Sequence, residues 1–544
     1  MYCLLSEFYR NVAKKISYWL PVSFFAAMAY AFSTVNRTIS VDDLAWNFYF
    51  GSDLATLGDG RWALFLVKRI FSSPIFTPFT DRFLAVIFFI LTAAVFSCIL
   101  YYLNGRKQHV FPYVVFSSAL ITFPLIHEIW EYSGANLILS FSFLSLSLLF
   151  LFLLIHTSWT WKTTFVSSVV VAFAISGYES NAALYITLAL IILFYQYGIN
   201  QLNQSEKGKW FLDGLRYAAS LILGLVFYFA TIKLIPLVLN ITPDNTYRGK
   251  TIFWGDGNQL RNLLATGVRY ILSALTYPPI TFFVLALVFF AIYICYHSLK
   301  ARRWLPLILG CGLVVSLFAM GILQGAVMPY RIANSLSFFT AFAFYLASES
   351  CVNCPPKGLK TVTACILLLI IWQQSVYMNH VLALNNQRSD NEAAVVQQIG
   401  YQLKSQFDEK PVIFVGRYDM GSWITEKTKP NENSWGTQVL SRIYEIFSSS
   451  TSGTMSGGSV SDSIIMHGME SNVNSALNWS TVAWDSQNMM KEYFSYYGYD
   501  ISLVQPYSEA VCNEALETSR HNKLRPFEIM DAGNYLIVCL GDIS

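Results

Sequence analysis

The stretch 137-LILSFSFLSLSLLFLFLLIH-156 runs for twenty residues without a Lys, Arg, Asp or Glu. A bilayer core of about 30 Å is crossed by roughly 20 apolar residues in a helix, so the stretch reads as a membrane span. Similar stretches flank it at 17–34, 83–103 and 110–126 on one side. On the other they lie at 164–176, 183–198, 217–238, 270–297, 305–323, 336–348 and 361–380. The composition agrees: only 13% of the 544 residues are charged and 54% are hydrophobic. Ordinary soluble domains carry about a quarter charged residues, so the solvent here is lipid. A net charge of +3, with no long basic run and no zinc-finger spacing, argues against a nucleic-acid partner.

The expected fold is therefore an all-α polytopic membrane protein with about eleven transmembrane helices, followed by a soluble tail. The first span follows Arg10, Lys14 and Lys15 as a signal peptide would. It lacks a small-residue cleavage site and more spans follow, so it is read as a membrane helix. With eleven spans, the basic clusters Arg10/Lys14/Lys15, Arg106/Lys107, Lys162, Lys207/Lys209/Arg216, Lys300/Arg302/Arg303 and Lys357/Lys360 fall on one side. The positive-inside rule makes that side cytoplasmic. The N-terminus is then inside, and the tail and the first loop, 35–82, are outside.

The chain divides into a membrane domain, 1–380, and a tail domain, 381–544. In the tail, 390–407 has helical apolar spacing with Asp390 as its cap. PVIFVG (411–416) and YLIVCL (535–540) read as buried strands, and the Ser/Gly-rich 448–463 as a loop. An α/β or α+β unit follows, long enough to hold its own core. Cys512 and Cys539 are its cysteines, either a disulfide or two buried thiols. The single CxxC, Cys351 and Cys354, lacks the further ligands a zinc site needs.

Charges near a membrane are costly, so their positions are informative. The densest cluster is in the first loop: SVDDLAWNFYFGSDLATLGDGRW, 40–62. It holds the adjacent pair Asp42 and Asp43, then Asp53, Asp59 and Arg61, with Trp46 and Trp62 between them. A carboxylate at the membrane surface can act as general base toward a sugar hydroxyl. An Arg can hold a lipid phosphate, and tryptophans offer faces to sugar rings. The loop ends in an amphipathic stretch, 61–71, suited to lie on the membrane. Structural roles compete: Asp42 could cap a helix, and Trp62 could belong to an aromatic belt. Two other outside loops add His127, Glu128, Trp130 and Glu131 (HEIWEY) and Glu179 and Asn181 (GYESN), as candidate sugar or acceptor contacts. Lys233, near the outer end of its span, either snorkels or meets a phosphate. Arg331 at the outer mouth of the tenth span is read as a phosphate ligand in preference to a headgroup anchor. No Walker-type loop or dinucleotide fingerprint is present, which favours a lipid-phosphate donor over a nucleotide sugar.

The acidic pair after a short first span, the GDGRW stretch (58–62), the many later spans, the Arg331 region and the outside tail resemble the Gtr-type O-antigen glucosyltransferases. The similarity covers roughly 15–380. These serotype-converting enzymes are similar in build to the GT-C glycosyltransferases. The resemblance implies an inner-membrane enzyme taking glucose from undecaprenyl-phosphate glucose on the periplasmic face. The acceptor would be a lipid-linked O-antigen repeat of lipopolysaccharide, and the partners two membrane proteins that make and flip the donor. Carried onto this chain, the base is Asp42 or Asp43, with Asp43 preferred. Arg331, Arg61 and Lys233 would face the donor phosphate. Trp46, Asp59, Trp62, Glu128, Trp130, Glu131, Glu179 and Asn181 would face sugar or acceptor. No cofactor is required by this scheme, and a divalent metal at Asp42 and Asp43 stays open. The alternatives are another lipid-phosphate-sugar-dependent enzyme of lipid A or O-antigen assembly, and a lipid or glycan transporter. Transport fits less well, because the charges sit in outside loops and not near the midplane.

Overall fold

The computed structural model of the chain describes residues 2–36, 38–40, 43, 53–58, 60–71, 78–130, 135–156, 158–199, 208–241, 263–264, 267, 270, 278–324, 332–352, 357–406, 410–416, 418, 477, 486–505, 508–541 and 543. Among them, eight helices are long and apolar enough to cross a membrane. They are Ile16–Val35, Phe79–Leu103, Ala135–Ile155, Asn181–Ile199, Lys209–Leu239, Pro278–Lys300, Ser335–Val352 and Gly358–Gln406. Shorter apolar helices, Val110–Ile126, Trp161–Gly177 and Leu305–Ser316, occupy three further expected positions. The expected span 270–297 is described as a helix from Pro278, while 271–277 lie outside the described residues.

Most of these helices are apolar on every side, as helices surrounded by protein or lipid are. Burial sorts them. In Ser335–Val352, 89% of the apolar window is buried, against 17% in Lys209–Leu239. The first is the central post and the second a peripheral, lipid-facing helix. The post carries Phe338, Phe339, Phe342 and Tyr345, all fully buried. Phe338 meets Phe96 and Phe143 edge-on, and Phe339 meets Phe283 and Phe290. Offset and edge-to-face contacts of this kind are the favoured aromatic geometry.

Charged groups gather at the two ends. At one end Glu7 pairs with Arg106 at 3.1 Å, and Lys107 with Glu349 at 2.9 Å. Tyr195 Oη donates to Glu349 at 2.6 Å, and Asn104 Nδ2 to Tyr345 Oη at 2.9 Å. Here too Arg216 closes a helix end, donating to the carbonyls of Leu153 (3.2 Å) and His156 (2.6 Å). The opposite end holds the first loop.

The tail contains a three-stranded sheet in the order β1-β3-β2, from Val412–Val415 (β1), Ile529–Asp531 (β2) and Leu536–Cys539 (β3). The two strands expected from sequence, β1 and β3, pair in parallel, Val412 opposite Leu536. The unexpected third, β2, pairs antiparallel to β3. Alternation decides the layers. Val412, Phe414, Leu536 and Val538 pack with Val396, Ile399 and Tyr493. Ile413, Val415, Ile537 and Cys539 pack on the other face with Ala515 of helix Glu509–His521. Strands covered on both faces read as continuous apolar runs, which is why they were legible.

One expectation is corrected. The tail helix does not begin at Asp390. It is one uninterrupted helix, Lys357–Gln406, roughly 75 Å long at 1.5 Å per residue. No Gly or Pro stands between 381 and 399 to stop it. The fall in hydropathy after 380 marks where lipid-facing residues cease, not where the helix ends. Asp390 accepts a hydrogen bond from Asn386 Nδ2 at 3.0 Å, four residues back. Of the two tail cysteines, Cys512 is half-buried and Cys539 buried. Cys539, buried on β3, donates Sγ–H to the Gly541 carbonyl at 3.3 Å. In the CxxC, Cys351 donates to the Lys360 carbonyl, while Cys354 and the loop 448–463 lie outside the described residues.

Gly400 is a point of close approach between this helix and the tail unit. A Cβ there would stand 2.5 Å from the Tyr499 ring, whereas one at Gly358 on the same helix would meet nothing within 4 Å. Gly400→Ala is expected to destabilise the tail by about 1–3 kcal/mol, the usual cost of overpacking, and Gly358→Ala to do no harm. Thermal melts of the two variants in the same detergent compare them directly.

Candidate active site

The first loop leaves the bundle at Val35, where the helix Ile16–Val35 ends and its last carbonyls need donors. Arg82, buried near the start of Pro78–Leu103, supplies them. Its Nη1 donates to the carbonyls of Ser33 (2.8 Å) and Asn36 (3.0 Å), and its Nη2 to Thr38 Oγ1. A cation at a helix C-terminus is also favoured by the helix dipole. Trp130 Nε1 donates to Ser33 Oγ at 3.1 Å.

One residue beyond Thr38 the tail helix takes hold. The Ile39 N–H donates to Ser389 Oγ at 3.0 Å, and Arg388 Nη2 donates to the Ile39 carbonyl at 3.1 Å. Arg388 pairs with Glu392 at 3.1 Å, both side chains fully buried. Beside them lies Tyr493, whose phenol is pushed well above its ordinary range by burial and then by the Glu392 charge. Asp43 follows, 1% exposed. The Ser40 N–H donates to Asp43 Oδ2 at 2.9 Å, and the Asp43 N–H donates to Ser40 Oγ at 3.2 Å. This reciprocal pair is a capping box with Asp in the acidic position. The S-x-x-D spacing of Ser40 and Asp43 is its signal in the sequence.

The GDGRW stretch is docked separately. Gly60 turns with φ +69°, a conformation that glycine adopts without strain. Ser176 Oγ donates to the Gly60 carbonyl (3.0 Å) and accepts from the Ala63 N–H (3.1 Å). Half-buried Arg61 donates its N–H to the Thr56 carbonyl at 2.9 Å. The amphipathic stretch is the helix Trp62–Phe71. Ala63 and Val67 are buried against Phe88, Leu137 and Ile138, while Ile70 stays 70% exposed. Trp62 Nε1 donates to Thr231 Oγ1 at 3.0 Å. Three residues back on the same helix face, Tyr228 Oη donates to Glu179 Oε1 at 3.4 Å. Trp62 and Glu179 thus meet on Lys209–Leu239, with exposed Lys233 two residues past Thr231.

Other expected contacts are relocated. Trp130 is fully buried, 4.2 Å from Tyr30 and 6.1 Å from Phe89 between ring centroids. It supports the first span and offers no face to a sugar. Asn181 is also fully buried, donating Nδ2–H to the Ala174 carbonyl at 2.8 Å, where it closes the end of Trp161–Gly177. Its neighbour Ser180 accepts from Asn334 Nδ2 at 2.7 Å. Glu128 falls in the short helix His127–Trp130. Asp42, Trp46, Asp59, Glu131 and Arg331 lie outside the described residues. Among the described residues no cluster of three His, Cys, Asp or Glu could hold a metal. Sequence reasoning missed Arg82, Arg388 and Glu392. The first was hidden at a span boundary, and the other two in a polar run assigned to the tail.

A bundle of apolar helices with buried charged side chains gathered around the first interhelical loop has the build of a membrane protein. The family model for glucosyl transferase GtrII matches residues 31–348, more than half of the chain, and the chain belongs to that family. It is a membrane glucosyltransferase, and the matched stretch includes Asp43, Arg61, Trp62, Glu179 and Lys233. No curated protein and no solved structure matches the chain.

His127 supplies a pH test of this end. Its Nδ1 is 2.6 Å from the Pro124 carbonyl, and burial pushes its pKa down to about 4 from 6.5. The folded protein therefore binds this proton less readily than the unfolded chain, so stability is lost as pH falls from 6.5 toward 4. From pH 7.5 to pH 5 the loss from this group is about 2 kcal/mol. His127→Gln, which keeps a donor for Pro124, is expected to flatten that limb in melts taken across the range.

Proposed function

We propose that the chain transfers glucose from undecaprenyl-phosphate glucose to an O-antigen repeat on the periplasmic face of the bacterial inner membrane, altering lipopolysaccharide serotype. The carrying observation is Asp43. It is a buried carboxylate within the family-matched stretch, oriented through Ser40 and screened from bulk water. Asp43 takes the proton of the acceptor hydroxyl as its oxygen bonds to the glucose anomeric carbon. The bond from that carbon to the phosphate oxygen breaks with inversion, and undecaprenyl phosphate leaves as the anion. Because Asp43 is so buried, acceptor binding must open a way to it. Asp42 is its partner or a second acceptor contact.

Arg331, with Arg61, stabilises the leaving phosphate, an electrostatic contribution that is largest in a water-excluded site, and Lys233 binds the donor phosphate. Lys233 has the exposure this role needs, on the helix whose Thr231 accepts from Trp62. Trp62 and Glu179, joined through that helix, face the sugar. Trp46, Asp59, Glu128 and Glu131 complete the acceptor contacts. The positive-inside rule supports a cytoplasmic N-terminus and a periplasmic tail. The donor reaches this face through its synthesising and flipping partners, and the scheme needs no metal.

Mass spectrometry of O-antigen from cells with the donor machinery tests the reading. Wild type should add one hexose per repeat, and Asp43→Asn, at equal membrane level, should lose about 10²–10⁴-fold in rate. An unchanged glycan with wild type rejects the acceptor, and full activity of Asp43→Asn rejects the base. Lys233→Ala should raise KM for the lipid donor several-fold with a smaller change in kcat, the pattern for a contact made equally in ground and transition states. Steady-state transfer in nanodiscs with varied donor measures it.

A further inference from the structure

We propose that Arg388 is a positioning residue for the transfer: reaching out of the tail helix, it fixes the backbone that carries Asp43. The inference rests on Asp43 being the base. Four observations support it. Both backbone groups of Ile39 are committed to the tail helix, the N–H to Ser389 and the carbonyl to Arg388. The Ile39 side chain is fully buried in the apolar cluster that also holds Val396, Phe414 and Tyr493. Little slack separates this grip from the carboxylate, because Ser40 and Asp43 close on each other immediately afterwards. The Arg388–Glu392 pair is completely buried.

A buried ion pair is a poor source of net stability, since an apolar pair of similar volume often does as well. What it supplies is direction. The planar guanidinium has donors for Glu392 and for the Ile39 carbonyl at once, and it holds a single backbone register. Arg82 grips the same segment from the bundle side at residues 33, 36 and 38. The segment that leads into Asp43 is therefore held by two buried guanidiniums, one from the membrane bundle and one from the tail. The second lies beyond residue 348, where the family match ends. The tail is thus part of the catalytic apparatus whatever sugar it meets.

The test uses the full-length protein in lipid nanodiscs, with hydrogen exchange of the 36–43 segment and transfer kinetics measured on the same samples. Arg388→Lys keeps the charge beside Glu392 and loses the fork. The double variant Arg388→Met/Glu392→Leu removes the ion pair and the grip together while leaving the site filled. In both, exchange of the segment should rise at least about tenfold and kcat should fall up to about 100-fold, with KM for donor and acceptor near wild type, as misplacement of a catalytic group predicts. Arg388→Lys placed on Asp43→Asn should cost little beyond Asp43→Asn alone, because both act through one carboxylate.

Unchanged exchange in a folded variant overturns the proposal. So does a change confined to KM, or a kcat loss that multiplies onto Asp43→Asn. If Asp43→Asn is itself fully active, the base assignment falls. The exchange measurement then still decides whether Arg388 holds the segment.

Discussion

The end of the first span is the constraint on which the functional end depends. A helix that stops beneath a membrane surface leaves carbonyls that neither lipid nor a dry interior can satisfy. Here Arg82 meets them, and in doing so ties the first span to the start of the second and sets the exit path of the loop. Trp130 closes the other side through Ser33. Arg216 does the same work at the opposite end for the helix Ala135–Ile155. Guanidiniums suit this task because one group can serve two or three carbonyls without losing its charge.

From that anchored exit the chain runs into a second restraint, the tail helix. Lys357–Gln406 begins among apolar residues beside the bundle and ends against a sheet. A continuous helix transmits position with little slack, so residues 388–392 are placed by the same rod that packs against the first span. The GDGRW turn is restrained through different contacts, Ser176 and Thr231, on other helices. Among the described residues the first loop is thus held at three separate places by four helices. Such restraint is the pre-organisation that the proposed base would require.

Much of the fold could be read from local sequence. Hydropathy found the apolar helices because the lipid requirement acts on each window independently. Continuous apolar runs found β1 and β3. The failures share a cause. Asp390 looked like a cap because a helix and a membrane span were treated as the same object. β2 is short and only half-buried, so its pattern carries little signal. At the site, residue type and place single out Trp130 and Asn181 together with Asp43, Arg61, Trp62 and Glu179, yet Trp130 and Asn181 serve the interior. Residue type cannot tell a polar group that faces a ligand from one that satisfies a neighbouring backbone.

The sequence by itself determined where the chain turns apolar, which loop concentrates carboxylates and that a mixed tail follows, because each is a property of a few adjacent residues. Only the tertiary structure decided that Arg388 grips Ile39, about 350 positions earlier, and that Trp62 and Glu179 hydrogen-bond to one and the same helix. Such pairings depend on how helices of near-equal apolarity arrange themselves. Packing many side chains at once settles that arrangement, and no periodicity in a single segment encodes it.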